Sequence, residues 1–199
     1  MMIPIQKRKS GYQSSNLTAS HVQQFRMDHT YKIENTTSAD LQVVYDLFEL
    51  SIIYQEKKGY PVWKNYDKSA LVKDVNNKNQ YKIVIDEQIS MVYSVCYSDK
   101  ILWRQMENGD AIYLHRIVVN PQFKGKRMFG IILEWAIQHA KSKGFKFIRM
   151  DTWADDPNII NYYKGFGFYF IEDFNTPDIP ALPVHNRNIP LALLEYRVV

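Results

Sequence analysis

The chain has 199 residues, of which 46% are hydrophobic, enough to bury one substantial core and to favour a single domain. Its formal net charge of +4, from 25 Lys and Arg against 21 Asp and Glu, is too balanced to indicate nucleic-acid binding by itself and suits a small anionic ligand equally well. The single cysteine, Cys96, excludes an internal disulfide and a cysteine-rich zinc site, and neither a membrane-spanning run nor a signal-peptide core stands out, so we expect a cytoplasmic protein without membrane partners.

The first elements follow a polar beginning. Residues 1–28 carry a basic cluster at residues 7–9 and show no hydrophobic period, so we interpret them as an N-terminal arm before a single domain at residues 29–199. Alternating residues near 31–35 predict a strand, and apolar residues at three- and four-residue spacing predict a helix over about 41–58.

A second helix is predicted over about 67–75, and the connection before it is rich in aromatic residues. These aromatics would serve either as core residues or as the lining of a pocket for an amine or an apolar group. On the second interpretation, Trp63 and Tyr66 are candidate substrate-binding residues.

The rest of the chain alternates strands and helices. Residues 80–85 and 89–97 are rich in β-formers and predict an antiparallel hairpin, and residues 98–110 are predicted to form a loop with an exposed or capping Trp103. The fold class is therefore α/β, with a mixed sheet of six or seven strands and helices on both faces. The remaining predicted elements are a strand (112–119), a helix (about 126–143), a strand (146–153), a short helix (158–164), a strand (168–174), a three-proline loop (175–188) and a final strand (191–199).

The turn after the strand at 112–119 is the most informative stretch. It passes through Pro121 into a basic, glycine-containing loop and then into an amphipathic helix. A helix start offers unpaired N–H donors and partial positive charge, and Lys124, Lys126 and Arg127 add Coulomb attraction. The sequence therefore predicts an anion site, above all for phosphates.

Several other chemistries do not fit. The turn is not a nucleotide-hydrolysing P-loop, because Ile131 and Ile132 stand where that loop needs Lys and Ser or Thr, and it is not a dinucleotide fingerprint because the second glycine is missing. The five histidines lack metal-ligand spacing, so we expect no metal. Cys96 lies in an apolar strand-like run, and we interpret it as a small core residue rather than a nucleophile.

Three stretches in this order carry a family resemblance: Ile117-Val-Val-Asn-Pro121, Phe123-Lys124-Gly125-Lys126, and Tyr162-Tyr163-Lys-Gly-Phe-Gly167-Phe168. Over roughly the last 90 residues the chain resembles the GNAT superfamily of N-acetyltransferases. The resemblance implies a GNAT-like acyl-CoA N-acyltransferase fold, with acetyl-CoA as the acetyl donor in a gap between two central parallel strands.

The resemblance also implies which residues bind the cofactor. The main chain of Ile117, Val118 and Val119 would contact pantetheine, and Asn158 would either contact CoA or cap its helix. Arg127 and Phe129 stand where the family has small residues, so an inward-pointing side chain would crowd the phosphates, and a positive φ would cost Arg127 on the order of 1 kcal/mol. The residues implied around the pyrophosphate are Lys124, Gly125, Lys126, Arg127, Met128, Phe129 and Gly130.

For catalysis, the resemblance implies that Tyr163 protonates the departing CoA thiolate, whereas its neighbour Tyr162 is predicted to be a core residue. His115, Asp151 and Asp155 are candidate bases for the amine, although each has a structural alternative. His115 and Asp151 are also candidate substrate-binding residues. Because no activated nucleophile stands out, we expect the amine to attack the thioester directly.

The acceptor cannot be named from the sequence beyond a small-molecule or peptide amine. Two other functions remain open: a non-catalytic acyl-CoA-binding or regulatory module, suggested by Arg127 and Phe129, and nucleic-acid binding through the basic arm and turn. We expect no nucleic-acid partner, and a homodimer is possible.

Overall fold

The computed structural model describes residues 30–60, 62 and 66–199. The predicted N-terminal arm at residues 1–28 and the candidate pocket residue Trp63 lie outside the described residues.

The described chain forms seven strands and five α-helices, joined by turns that include short 3-10 segments. The elements in chain order are β1 (Tyr31–Asn35), α1 (Leu41–Lys57), α2 (Lys68–Asn76), β2 (Gln80–Ile85), β3 (Gln88–Cys96), α3 (Lys100–Trp103), β4 (Ala111–Val119), α4 (Phe129–Lys143), β5 (Phe147–Trp153), α5 (Pro157–Lys164), β6 (Tyr169–Asn175) and β7 (Pro190–Arg197).

The strands form one mixed sheet in the order β1-β2-β3-β4-β5-β7-β6. Every neighbouring pair is antiparallel except β4 and β5, which run parallel at the centre. Helices α1, α2 and α3 pack on one face, whereas α4 and α5 cover the other with the largest apolar cluster. The predicted fold class and the hairpin of β2 and β3 are confirmed.

The start of α1 shows how local sequence sets an element. Thr37 and Asp40 form a capping box just before the helix, with the Thr37 N–H donating to the Asp40 carboxylate at 2.8 Å. The same carboxylate accepts from the Lys82 ammonium on β2 at 2.8 Å, which fixes the helix start against the sheet. Val44 and Phe48 then point into the cluster beneath α1.

The structure corrects the interpretation of residues 98–110 as a loop. The segment contains α3 and a 3-10 turn over Arg104–Met106, so it covers the sheet as a compact unit. Only 1% of Trp103 is exposed, and the Arg149 guanidinium lies 4.5 Å from the centre of its ring. The expectation of an exposed Trp103 is therefore wrong. Helix α3 could not be predicted from the sequence, because it is too short to show an apolar period.

Candidate active site

A wedge opens between β4 and β5 in the middle of the sheet. The parallel pairing extends from Ala111 and Phe147 only as far as Leu114 and Met150. Beyond this point β4 continues beside β3 to Val119, while β5 continues beside β7, so the two strands diverge. The main chain of residues 115–119 therefore faces the wedge, where an extended ligand can form strand-like hydrogen bonds.

A β-bulge in β4 adds to this divergence. The register between β3 and β4 shifts between the pairs Val92–Val118 and Ser94–His115, which leaves one extra residue on β4. Arg116 lies at the bulge with φ of 52°, and its guanidinium pairs with Asp74 of α2 at 2.8 Å. The sequence carried no signal for this bulge, since the positive φ is taken by an arginine rather than a glycine.

The turn after β4 keeps helix α4 from starting where the sequence predicted. The Asn120 side chain accepts from the Gln122 N–H at 3.1 Å, and Gly125 and Arg127 both have positive φ, of 79° and 50°. Helix α4 therefore begins at Phe129 rather than near residue 126. Gly130 and Ile131 already donate to the carbonyls of Arg127 and Met128, so the attraction of this end of the wedge for an anion comes from the partial positive charge of the helix start and from the basic side chains beside it.

The three cations of the turn lie in different environments. The Lys124 ammonium lies 2.9 Å from the centre of the Tyr54 ring on α1, and burial there lowers its pKa. The Arg127 guanidinium lies 4.9 Å from the centre of the Phe166 ring. Lys126 remains exposed. The positive charge is therefore spread around the turn rather than gathered at one point.

The side chains at the helix start point into the core. Phe129 is 2% exposed, and its ring centre lies 4.8 Å from that of Tyr163 and 5.1 Å from that of Phe166. Met128 and Gly130 are also buried. The sequence left open whether the Phe129 side chain crowds the turn. In the structure it does not, because the side chain points into the core.

Helix α5 carries Tyr163 beside this aromatic cluster. Asp156 caps the helix by accepting from the N–H groups of Asn158 and Ile159 at 3.0 and 3.3 Å, so the capping alternative for the exposed Asn158 is wrong. Tyr163 is buried, and burial, with smaller contributions from Tyr162 and Asp151, raises its pKa. Its phenol is therefore protonated at neutral pH.

Tyr162 differs from its prediction as a core residue, because 37% of it is exposed. Its hydroxyl accepts a hydrogen bond from the Phe129 backbone at the start of α4. Burial of the hydroxyl end raises the pKa of Tyr162 to about 12, opposed by the positive charge of Arg127 and by this hydrogen bond. Tyr162 thus contacts both the basic turn and the edge of the core, where its ring centre lies 5.1 Å from that of Phe166.

On the opposite face of the sheet, His115 lies between two carboxylates where the wedge begins. Its Nδ1 lies 3.5 Å from Asp151 Oδ1 on β5, and its Nε2 lies 3.5 Å from Asp99 Oδ2 before α3. Burial alone would lower the pKa of His115, but hydrogen bonds and charge from Asp151 and Cys96 raise it well above its usual value. Asp99 was not among the site residues predicted from the sequence, because nothing in the loop around Asp99 indicated that it lies close to β4.

The other candidates are not part of this cluster. Asp155 is exposed on the connection between β5 and α5. Tyr66 stacks on Phe48 with ring centres 4.8 Å apart and donates to the Tyr45 carbonyl at 3.4 Å, so it joins α1 to α2. Cys96 packs against the apolar cluster beneath α3 but is only partly buried, and it also lies within hydrogen-bonding reach of His115.

The described part of the chain contains neither a membrane-spanning helix nor a metal-binding group of side chains. Its helices include none that is long and apolar enough to cross a membrane. Its His, Cys, Asp and Glu side chains include no group of three able to hold a metal ion, the cluster around His115 included.

Comparisons with known proteins agree with this geometry. Residues 89–168 match the model of the acetyltransferase (GNAT) family. YesJ of Bacillus subtilis, named as an uncharacterized N-acetyltransferase, is 25% identical over an alignment of 160 residues that covers 71% of this chain and 89% of YesJ.

Solved structures share the fold. A GNAT-family acetyltransferase from Listeria monocytogenes superposes with a TM-score of 0.69 at 17% identity, covering 84% of this chain and 94% of that one. The structure of yncA from Salmonella typhimurium with its cofactor acetyl-CoA gives a TM-score of 0.58 at 13% identity, covering 85% and 94%. The family-model match over residues 89–168, the curated relative and the shared fold all indicate a GNAT-superfamily acetyltransferase.

Proposed function

We propose that this chain transfers an acetyl group from acetyl-CoA to a primary amine by direct attack, with Tyr163 as the general acid. The observation that carries the proposal is the wedge between β4 and β5. It ends at the basic turn, and the helix bearing Tyr163 packs against β5 and the start of α4.

The residues along the wedge suit the cofactor. The main chain of Ile117, Val118 and Val119 would pair with the amide groups of pantetheine. The turn at Gly125 would hold the pyrophosphate, because it leads into the start of α4 and the space beside the Gly125 Cα is open. Bound there, acetyl-CoA would supply the activated thioester.

The acceptor would approach from the face that carries His115. Two carboxylates beside one imidazole leave this site net negative even with the ring protonated, which attracts an ammonium group. The amine must lose a proton before it can attack, and His115 with Asp151 is the pair best located to take it. Because the pKa of His115 is raised, we expect the rate to increase as the pH rises through it and the ring loses its proton.

Tyr163 would act mainly by donating a hydrogen bond to the leaving sulfur. In water a phenol has a pKa near 10 and a thiol near 8.5, so complete proton transfer would be uphill by about 2 kcal/mol. A buried donor nevertheless stabilises the negative charge that develops on sulfur in the transition state.

The test is CoA thiol release over a panel of primary amines, comparing Tyr163→Phe with Tyr169→Phe. Each change removes one hydroxyl, but Tyr169 lies on β6 and is 68% exposed. We expect kcat to fall by about 100-fold for Tyr163→Phe, with acetyl-CoA affinity little changed, and no effect for Tyr169→Phe.

Binding and turnover separate the alternatives. A rise in melting temperature with acetyl-CoA but no thiol release with any amine would favour a non-catalytic acyl-CoA-binding module. No thermal shift at millimolar acetyl-CoA would contradict both functions.

A further inference from the structure

Segment 98–110 is held against the sheet by a buried arginine. The Arg149 guanidinium donates to Glu195 Oε2 at 2.8 Å, to the Met106 carbonyl at 2.8 Å and to the Tyr113 hydroxyl at 3.1 Å. It also lies over the Trp103 ring. A buried charge with several partners is costly to displace, so the end of the segment is fixed relative to β4 and β5.

The same network positions Asp99. Glu107 accepts from the Asp99 N–H at 2.7 Å and from the Gly109 N–H at 2.8 Å, and it also hydrogen-bonds Tyr113. Asp99 Oδ1 in turn caps α3 by accepting from the Leu102 N–H at 3.2 Å. With its backbone and one oxygen held, Asp99 directs its other oxygen toward His115.

We propose that Asp99 is a positioning residue for acetyl transfer, which with Asp151 holds the His115 ring between two carboxylates at the acceptor side of the wedge. The proposal rests on the proposed function and extends it to a residue outside the three stretches that carry the GNAT resemblance. The titratable groups beside the ring are Cys96 from β3, Asp99 from the segment and Asp151 from β5. Glu107 interacts in turn with Asp99, and Tyr163 of α5 with Asp151.

This arrangement fixes the ring orientation and favours its charged form. A carboxylate beside each nitrogen stabilises the imidazolium, so loss of one negative charge should lower the pKa of His115. A lower pKa leaves more of the ring deprotonated at a given pH, and the acidic limb of the pH profile for kcat/KM should move to lower pH.

The experiment compares Asp99→Asn with Asp173→Asn, an exposed carboxylate on β6. Asparagine caps helices as well as aspartate does, so Asp99→Asn should keep α3 and remove only the charge. We expect the His115 pKa, followed by NMR titration of its ring, to fall in Asp99→Asn and not in Asp173→Asn, while Asp151 still holds it above the usual value. We also expect kcat with an accepted amine to fall about fivefold to tenfold on the alkaline plateau, where the ring is deprotonated in every variant, because the ring is no longer held from both sides, while KM for acetyl-CoA stays unchanged.

The NMR titration does not depend on turnover. If His115 titrates alike in the two variants and in the parent chain, the proposal is wrong, whether or not the protein acetylates amines. If the pKa falls but no amine is acetylated by any variant, it is the proposed function that fails. Asp99→Ser, which also caps a helix but lacks a carboxylate, should reproduce the fall in the pKa and guards against a folding defect peculiar to asparagine.

Discussion

The Phe129 ring connects the start of α4 to the helix that carries Tyr163. Edge contacts to Tyr163 and Phe166 and a tilted contact to Phe168 place it at the centre of an aromatic cluster. A large side chain is tolerated at this turn because it points away from the turn. The family motif alone could not give this direction, since it specifies the residue usually found there and not the space beneath the helix.

Replacing Phe129 with alanine should destabilise the fold and loosen Tyr163. We expect a loss of about 3 to 4 kcal/mol in the free energy of unfolding, as for other buried aromatic residues that leave a cavity. Urea denaturation measures this, with Tyr169→Ala on the exposed edge of β6 as the matched control, for which we expect less than about 0.5 kcal/mol. Equal losses in the two variants would contradict the location of Phe129 in the core.

Among the elements, α5 depends strongly on the hydrogen bonds of its first turn. It has eight residues, too few to be stable as an isolated helix, and Asp156 satisfies two of its first N–H groups. Tyr163 lies in its last turn, so the orientation of the phenol follows from how the helix starts.

Two caps allow this dependence to be measured. Asp156→Ala and Asp67→Ala each remove an aspartate that accepts from two backbone N–H groups at a helix start, and each should cost about 1 kcal/mol of stability. Only Asp156→Ala should also reduce kcat, by several-fold, because only α5 carries Tyr163. A comparable loss of kcat in Asp67→Ala would show that the effect comes from general destabilisation.

Elements with a clear period could be predicted, whereas irregular ones could not. The apolar spacing of α1 and the β-forming residues of β2 and β3 gave their bounds within about two residues. The start of α4 was placed too early because an arginine, not a glycine, takes positive φ at residue 127. The bulge at Arg116 escaped prediction for the same reason.

Over the whole molecule, the sheet brings together residues that are far apart in the chain. Asp99, His115 and Asp151 come from three segments and meet because β3, β4 and β5 are neighbours. The residues proposed to hold the cofactor could be named from the sequence, since they follow one another in a recognisable motif. On the proposed acceptor side the sequence named His115 and Asp151 but not Asp99, because these residues share no local pattern and are related only through strand register.

The pairing of α1 with β2 should make the stability of the fold depend on pH. Burial alone would raise the pKa of Asp40, but hydrogen bonds from Lys82 and Thr37 outweigh it and lower the pKa in the folded state. Such a group contributes full stability above its unfolded pKa, near 3.9, and loses that contribution as the pH falls through the folded value.

In Asp40→Asn we therefore expect the free energy of unfolding at pH 6 to fall by about 1 to 2 kcal/mol. At pH values below the lowered pKa of Asp40 the difference from the parent chain should nearly vanish, because the parent carboxylate is then protonated. Urea denaturation at a series of pH values measures this, and Asp173→Asn should leave the whole curve unchanged. A deficit that stays constant below that pKa would mean that the charge of Asp40 is not responsible.

The short parallel pairing of β4 with β5 also divides the sheet along the chain itself. Strands β1 to β4 all precede α4, and β5 to β7 all follow it, so the two parts of the sheet are two continuous stretches of polypeptide. Few main-chain hydrogen bonds join them directly. A ligand bonded to both edges of the wedge would join these stretches, and we expect the protein to unfold more cooperatively, as one unit, when the wedge is filled.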